Sequence, residues 1–158
     1  MIALQGLPIA PGEGHEAGRA LLEEMVVAHT GNPMPTIGVT DRGKPYFTEG
    51  SLHFSISHSK GHVFCALSDR PIGIDAEEAD RAISPALAEK ILSPGEYAQW
   101  QQAPDPRSAL LTFWVLKEAQ AKCTGEGLRG YPKDTDFSLA DARVQLLHGC
   151  LVAVIEGE

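Results

Sequence analysis

The run Pro71-Ile72-Gly73-Ile74-Asp75-Ala76-Glu77 decides how the rest of the chain is read. It begins at an Arg70-Pro71 break, and its composition predicts a strand from Ile72 to Glu77. Side chains alternate along a strand, so Asp75 and Glu77 project from one face while Ile74 and Ala76 take the other. Two carboxylates on one face are either solvated acids on an exposed edge or ligands of a cation. The apolar residues ahead of Asp75 place it towards the core end of the strand and keep the metal reading open.

Upstream, Leu52 to His58 and His62 to Ser68 are joined by Ser59-Lys60-Gly61 and predict a hairpin. With Ile72 to Glu77 they are expected to form one sheet of three neighbouring strands. Alternation puts Phe54, Ile56 and His58 on one face and His53, Ser55 and Ser57 on the other. His53 and His58 therefore oppose each other, and no cysteine stands at ligand spacing, which argues against zinc on His53, His58 and His62. Further back, Leu21, Leu22, Met25, Val26 and Ala28 recur at helical spacing between Glu16 and His29, with Gly31 as a stop. A short strand is predicted from Ile37 to Thr40, then a turn at Asp41-Arg42-Gly43. Lys44, in Gly43-Lys44-Pro45, sits at a rigid turn from which it reaches either an anion or water.

Downstream, Ser84-Pro85 reads as a cap with a first-turn proline, and Ser93-Pro94-Gly95-Glu96 as a capping box. The longest helix is predicted from Arg107 to Thr124, ended by Gly125. Along it Trp114, Lys117, Glu118, Ala121 and Lys122 share one face, while Leu116, Ala119 and Cys123 lie opposite and supply packing. That polar stripe is either a surface face with a Glu118 to Lys122 pair or part of a site. In the second case Asp75, Glu77 and Glu118 would hold an octahedral Mg²⁺, with Lys117 and Lys122 neutralising phosphates. Asp136 to Leu139, Arg143 to Leu147 and Cys150 to Ile155 close the chain as a small antiparallel set. Helix followed by strands thus occurs twice, which predicts an α+β fold of two small lobes, approximately 1–70 and 71–158, with a ligand cleft between them.

Composition supports one packed domain: of 158 residues 43% are hydrophobic and 22% charged. Thirteen Lys and Arg against twenty-one Asp and Glu give −8, without the basic footprint of a nucleic-acid or anionic-membrane binder. The cysteines Cys65, Cys123 and Cys150 are odd in number and unrelated in spacing, as expected for reduced core thiols of a cytoplasmic protein. Neither a leader sequence nor an apolar run of about 18 residues is evident.

Taken in order, Gly43-Lys44-Pro45, Phe54 through Ser59, Ile72 through Glu77, Ile91-Leu92-Ser93-Pro94-Gly95-Glu96, and Trp114 through Lys122 followed by Gly125-Glu126-Gly127-Leu128 resemble the 4′-phosphopantetheinyl transferase family. The likeness is to its single-chain, two-lobed, surfactin-synthetase-activating type, and spans roughly residues 43 to 139. Gly-Ile-Asp-x-Glu together with Trp-x-x-Lys-Glu-Ala-x-x-Lys is specific where either alone would not be. The resemblance implies two α/β lobes in pseudo-twofold arrangement, each an antiparallel sheet with a long helix, in one monomeric chain. It implies Mg²⁺ on Asp75, Glu77 and Glu118, and coenzyme A phosphates on Lys44, Ser57, His58 and Lys122, with Lys117 beside the pyrophosphate. Catalytic roles would fall to Glu118, Lys117 and Asp75, Glu118 also taking the proton from an attacking serine. The implied reaction is that of a holo-acyl-carrier-protein synthase: transfer of 4′-phosphopantetheine from coenzyme A to a serine of an acyl, peptidyl or polyketide carrier protein, releasing 3′,5′-ADP. Arg129 and Lys133 would be docking charges, and His15 and Arg19 are the candidates for further phosphate contacts in the short N-terminal lobe. Val115 departs from the small polar residue that usually follows the Trp. The competing readings are a non-catalytic module that binds coenzyme A or a carrier, and a Mg²⁺-dependent phosphohydrolase.

Overall fold

The computed structural model describes residues 1–127, 133 and 135–158. The chain runs β1 (Ala3–Pro8), α1 (Gly14–Thr30), β2 (Ile37–Val39), β3 (Pro45–Phe47), β4 (His53–His58), β5 (His62–Ser68), β6 (Ile72–Glu78), α2 (Leu87–Ile91), α3 (Pro94–Gln102), α4 (Pro106–Thr124), β7 (Val144–Leu147) and β8 (Cys150–Glu156). Two antiparallel three-stranded sheets form, in the orders β1-β5-β4 and β6-β8-β7, and β2 with β3 makes a separate ribbon. Each large sheet is built by a strand, a long helix and a closing hairpin whose last strand enters the middle, so the same topology occurs twice.

Alternation in each sheet decides what it packs on. Phe54, Val63, Cys65 and Leu67 face outwards against Leu21, Leu22, Met25 and Val26 of α1. The opposite face presents Phe64 and Ala66 to Ile72, Ile74, Ala76, Cys150 and Val152 of the second sheet. On the far side of that sheet, Ala153 and Ile155 meet Val115, Leu116, Ala119 and Cys123 of α4. The result is helix, sheet, sheet, helix, with the two sheets back to back. Both long helices end where glycine accepts a left-handed conformation, Gly31 at φ 71° and Gly125 at φ 77°.

Several expected elements change. β6 is not a third strand of the β4–β5 sheet: its ladder partner is β8, and its amides are bonded by side chains of β4 rather than by β4 carbonyls. The Ser55 hydroxyl accepts the Ile74 amide at 3.0 Å and the Ser57 hydroxyl accepts the Ala76 amide at 3.1 Å. Asp136 to Leu139 forms no strand. Its amides go to side chains of α3 instead, Phe137 N–H to Glu96 and Leu139 N–H to Gln99, so no ladder is needed. Ser84 opens a turn ahead of α2 rather than capping it, and the N-cap is Ala86. β1 and β3 have no counterpart among the predicted elements.

Gly73 sets the distance between β6 and α4. A Cβ there would overlap the Ala119 carbonyl and the Cys123 amide, so only glycine lets the last turns of α4 settle against the strand that carries Asp75.

Candidate active site

Asp75 stands at the junction of β4, β6 and α4. Only 5% of it is exposed. Its Oδ1 accepts from the Ser57 hydroxyl at 3.3 Å and from Lys122 Nζ at 3.2 Å, while Oδ2 is buried with no hydrogen-bond partner. Burial pushes the carboxyl up to about 7; Lys122 opposes this, and the negative charges of Glu77 and Glu118 add to it. Burial likewise raises Glu118, with Glu77 adding to the rise and Lys122 and Arg81 opposing it. Glu77 projects from the same face of β6 as Asp75 and is held by Arg81 at 2.6 Å.

The three expected carboxylates therefore share one electrostatic environment. A buried acidic oxygen without a donor, among three carboxylates, is a donor set suited to a hard divalent cation such as Mg²⁺, which binds through a few carboxylates and keeps several waters. Lys122, predicted to neutralise phosphate, is at the centre of this group and pairs with Asp75.

Two clefts flank the junction. The first, of about 250 Å³, lies between the two halves of the chain and includes Lys44, Pro45, Phe54, Ser55, Glu118 and Lys122 in its lining. Lys44 reaches across to donate to the Cys123 carbonyl near the end of α4 at 2.8 Å, and half-burial lowers its pKa. The second, of about 470 Å³, is bordered by Gly14, His15, His58, Lys60 and Glu77. His58 lies over the start of α1, where a Cβ on Gly14 would collide with its ring. The predicted binding residues thus divide: Lys44 and Lys122 line one cleft, His58 the other, and Ser57 touches Asp75 itself.

Lys117 departs from expectation. It does not stand free to meet a phosphate: its side chain is 1% exposed and pairs at 2.8 Å with Glu96, which is fully buried, and it donates to Thr135 Oγ1 at 2.9 Å. The pairing ties it to α3. Glu96, read from sequence as half of a capping box and as the end of the Ile91–Glu96 stretch, makes that box and also accepts the Phe137 amide. Sequence reasoning missed it because the box accounts for the residue locally; its pairing with Lys117 is a tertiary contact. Ser55 was read as part of a strand face, but its bond to the Ile74 amide is likewise a tertiary contact; Arg81, only four positions from its partner Glu77, drew no notice as a local pair. Arg129 and Leu128 lie outside the described residues, and Lys133 is exposed.

With the geometry in hand, relatives give it a family. A profile described as the 4′-phosphopantetheinyl transferase superfamily matches residues 71–152. The 4′-phosphopantetheinyl transferase psf-1 of Bacillus pumilus is 35% identical over 123 residues, covering 72% of this chain and 52% of its own. AcpT of Escherichia coli K12 is 34% identical over 134 residues, covering 77% and 68%. Sfp of Bacillus subtilis 168 is 35% identical over 89 residues, covering 54% and 39%. The chain belongs to the 4′-phosphopantetheinyl transferase superfamily. It spans about half the length of psf-1 and a larger share of AcpT.

Two outcomes follow for stability. Lys117→Ala leaves Glu96 buried and unpaired and is expected to cost about 3–5 kcal/mol in denaturant unfolding, whereas an exposed helix lysine contributes only a few tenths; a loss under about 1 kcal/mol would contradict the buried pair. For Asp75 the folded carboxyl, at about 7, lies above its unfolded value of 3.8. Between those values the folded state holds the extra proton, so stability falls as pH rises through the window and levels off above it. In chelator-treated protein Asp75→Asn should therefore gain melting temperature over wild type at pH 8 but not at pH 4. Equal differences at both pH values would contradict the buried carboxyl.

Proposed function

We propose that this chain transfers 4′-phosphopantetheine from coenzyme A to a serine hydroxyl of an acyl, peptidyl or polyketide carrier protein, with Mg²⁺ as its metal and 3′,5′-ADP as leaving group. The observation that carries the reading is the buried, unsatisfied Asp75 oxygen in the electrostatic reach of Glu77 and Glu118, paired with Lys122, which lines a cleft together with Glu118 and Lys44. Family membership supports the reaction type.

In this reading the halves 1–70 and 71–158 act as two lobes, and coenzyme A lies in the cleft between them. Asp75, Glu77 and Glu118 would hold the Mg²⁺, which when bound supplies charge stabilisation to the phosphate oxygens. Lys122 and Lys44, which line the cleft, would offer cationic contacts to the pyrophosphate. Ser57 keeps Asp75 oriented, and His58 binds phosphate from the second cleft. The serine oxygen attacks the β-phosphorus, the bond to the 3′,5′-ADP oxygen breaks, and the serine proton passes to Glu118. Burial raises the Glu118 carboxyl, which makes it a better proton acceptor than an ordinary glutamate. Lys117 acts as a positioning residue through Glu96, which ties α3 to α4, rather than by touching substrate. The proposed carboxylates and lysines all come from one chain, which supports a monomer, and we place the enzyme in the cytoplasm. Lys133 and Arg129 would supply docking charge for an acidic carrier on a chain whose net charge is −8.

Mass spectrometry of carrier proteins incubated with coenzyme A, Mg²⁺ and this protein tests the reading. The expected result is one phosphopantetheine adduct on the carrier serine, with Glu118→Gln lowering the single-turnover rate by roughly 10²–10⁴-fold. Coenzyme A bound without transfer across a carrier panel would make the chain a binding module, and free phosphopantetheine without a carrier would make it a hydrolase; either result overturns the proposal.

A further inference from the structure

The opposite face of β6 brings a different set of donor atoms together. Glu78 continues the row of Ile72, Ile74 and Ala76, away from Asp75 and Glu77, and its register partner is Cys150 at the start of β8. His62, the first residue of β5, reaches both. His62 Nδ1 is 3.0 Å from Glu78 Oε1 and 3.6 Å from Cys150 Sγ, and that sulfur is 3.5 Å from Glu78 Oε2. Among the described residues this is the group of His, Cys and acidic donors whose ligand atoms all fall within 4.8 Å of one another.

Those separations can be compared with a coordination sphere. Tetrahedral Zn²⁺, with bonds of about 2.0–2.1 Å to N, 2.0–2.2 Å to O and 2.3 Å to S, places its ligand atoms about 3.3 Å apart for N and O and about 3.5 Å apart when one is S. The two sulfur spacings, to His62 Nδ1 and to Glu78 Oε2, lie close to those values, and the donor atoms of the three residues all fall within 4.8 Å of one another, so a cation enters with small side-chain shifts. Imidazole, thiolate and a single carboxylate suit a borderline-soft ion and are a poor set for Mg²⁺. The carboxylate is held in place from behind: its Oε1 also accepts the Ser59 hydroxyl at 2.8 Å and the Gly61 amide at 3.1 Å. Outer partners of this kind orient metal ligands. His62 and Glu78 are partly exposed, at 22% and 28%, so an ion has a path from solvent to the buried sulfur. The His148 ring stacks on that of His62 with centroids 6.3 Å apart.

We propose that His62, Glu78 and Cys150 form a binding site for a zinc-type divalent cation, separate from the carboxylates around Asp75. The cation binds His62 Nδ1, Glu78 Oε2 and Cys150 Sγ, with water in the fourth position; the thiol proton leaves to solvent, and the imidazole carries its hydrogen on Nε2 instead of Nδ1. Its ligands come from β5 of the first sheet and from β6 and β8 of the second. Occupancy therefore fastens the two sheets at the end of their interface, next to the β4–β5 turn. The site does not depend on the proposed transferase reading, since it lies on the other face of β6.

Co²⁺ serves as the probe because a cobalt–thiolate bond gives a near-ultraviolet charge-transfer band and tetrahedral Co²⁺ gives intense visible bands. Metal-stripped protein in excess Mg²⁺ should develop both with one equivalent of Co²⁺ and lose them on adding Zn²⁺. Cys65→Ala and Cys123→Ala should retain the bands, and Cys150→Ala should abolish the thiolate band. His62→Ala, at a partly exposed position, should weaken binding by more than the roughly 10–100-fold that loss of an outer partner costs. It provides the test should Cys150→Ala fail to fold. Zn²⁺ should also raise the melting temperature of wild type but not of His62→Ala. A wild-type titration without a thiolate band, a band that survives Cys150→Ala, or unchanged affinity in His62→Ala would overturn the proposal.

Discussion

The hydroxyls of Ser55 and Ser57, accepting the amides of Ile74 and Ala76, are the contact on which the rest of this structure depends. An unpaired strand edge buried against another sheet would leave amide donors without partners, each at a cost of about 1–3 kcal/mol. A further strand could satisfy them, but it would merge the two sheets and remove the junction. Serine side chains satisfy them without extending the ladder. β6 is thus joined to β4 while remaining the edge of its own sheet, and Ser57 has a hydrogen left to donate to Asp75.

Asp75 is buried at that junction because Gly73, two residues earlier, brings α4 close against the same face of β6. α4 then supplies both Glu118 and Lys122. Three acids, Asp75, Glu77 and Glu118, are opposed by Lys122 and Arg81, and one oxygen of Asp75 has no donor. A buried acidic group with fewer partners than lone pairs is costly to the fold, and such arrangements concentrate at sites where a bound group completes them. Lys117 shows the other solution within the same helix. Its charge is fully buried but is matched by Glu96 and Thr135, so it stabilises the packing of α3 on α4.

Much of this was legible in the sequence because it depends on short-range periodicity. The alternation in Ile72 to Glu77 separates Asp75 and Glu77 from Ile74 and Ala76, as the packing bears out, and helical spacing brings Glu118 and Lys122 onto one side of α4. The repetition of helix and strands foreshadows the repeated topology. What was not legible depends on neighbours distant in sequence. β1 escapes notice because Gly6 and Pro8 break its pattern, yet Gly6 is there because the Phe64 ring occupies the place of its side chain. A helical stripe wide enough to include both Lys117 and Glu118 does not tell which neighbouring element each meets, and α3 takes the first while β6 takes the second. His62 and Cys150, 88 positions apart, come together only through the register of three strands in two sheets.

Whether Asp75 needs a divalent cation to complete it is read from equilibrium binding of Mg²⁺ in the presence of coenzyme A. Calorimetric titration at pH 8 should show one Mg²⁺ per wild-type chain, with that binding lost in Asp75→Asn while the variant remains folded. Equal Mg²⁺ binding by the two proteins would contradict the account.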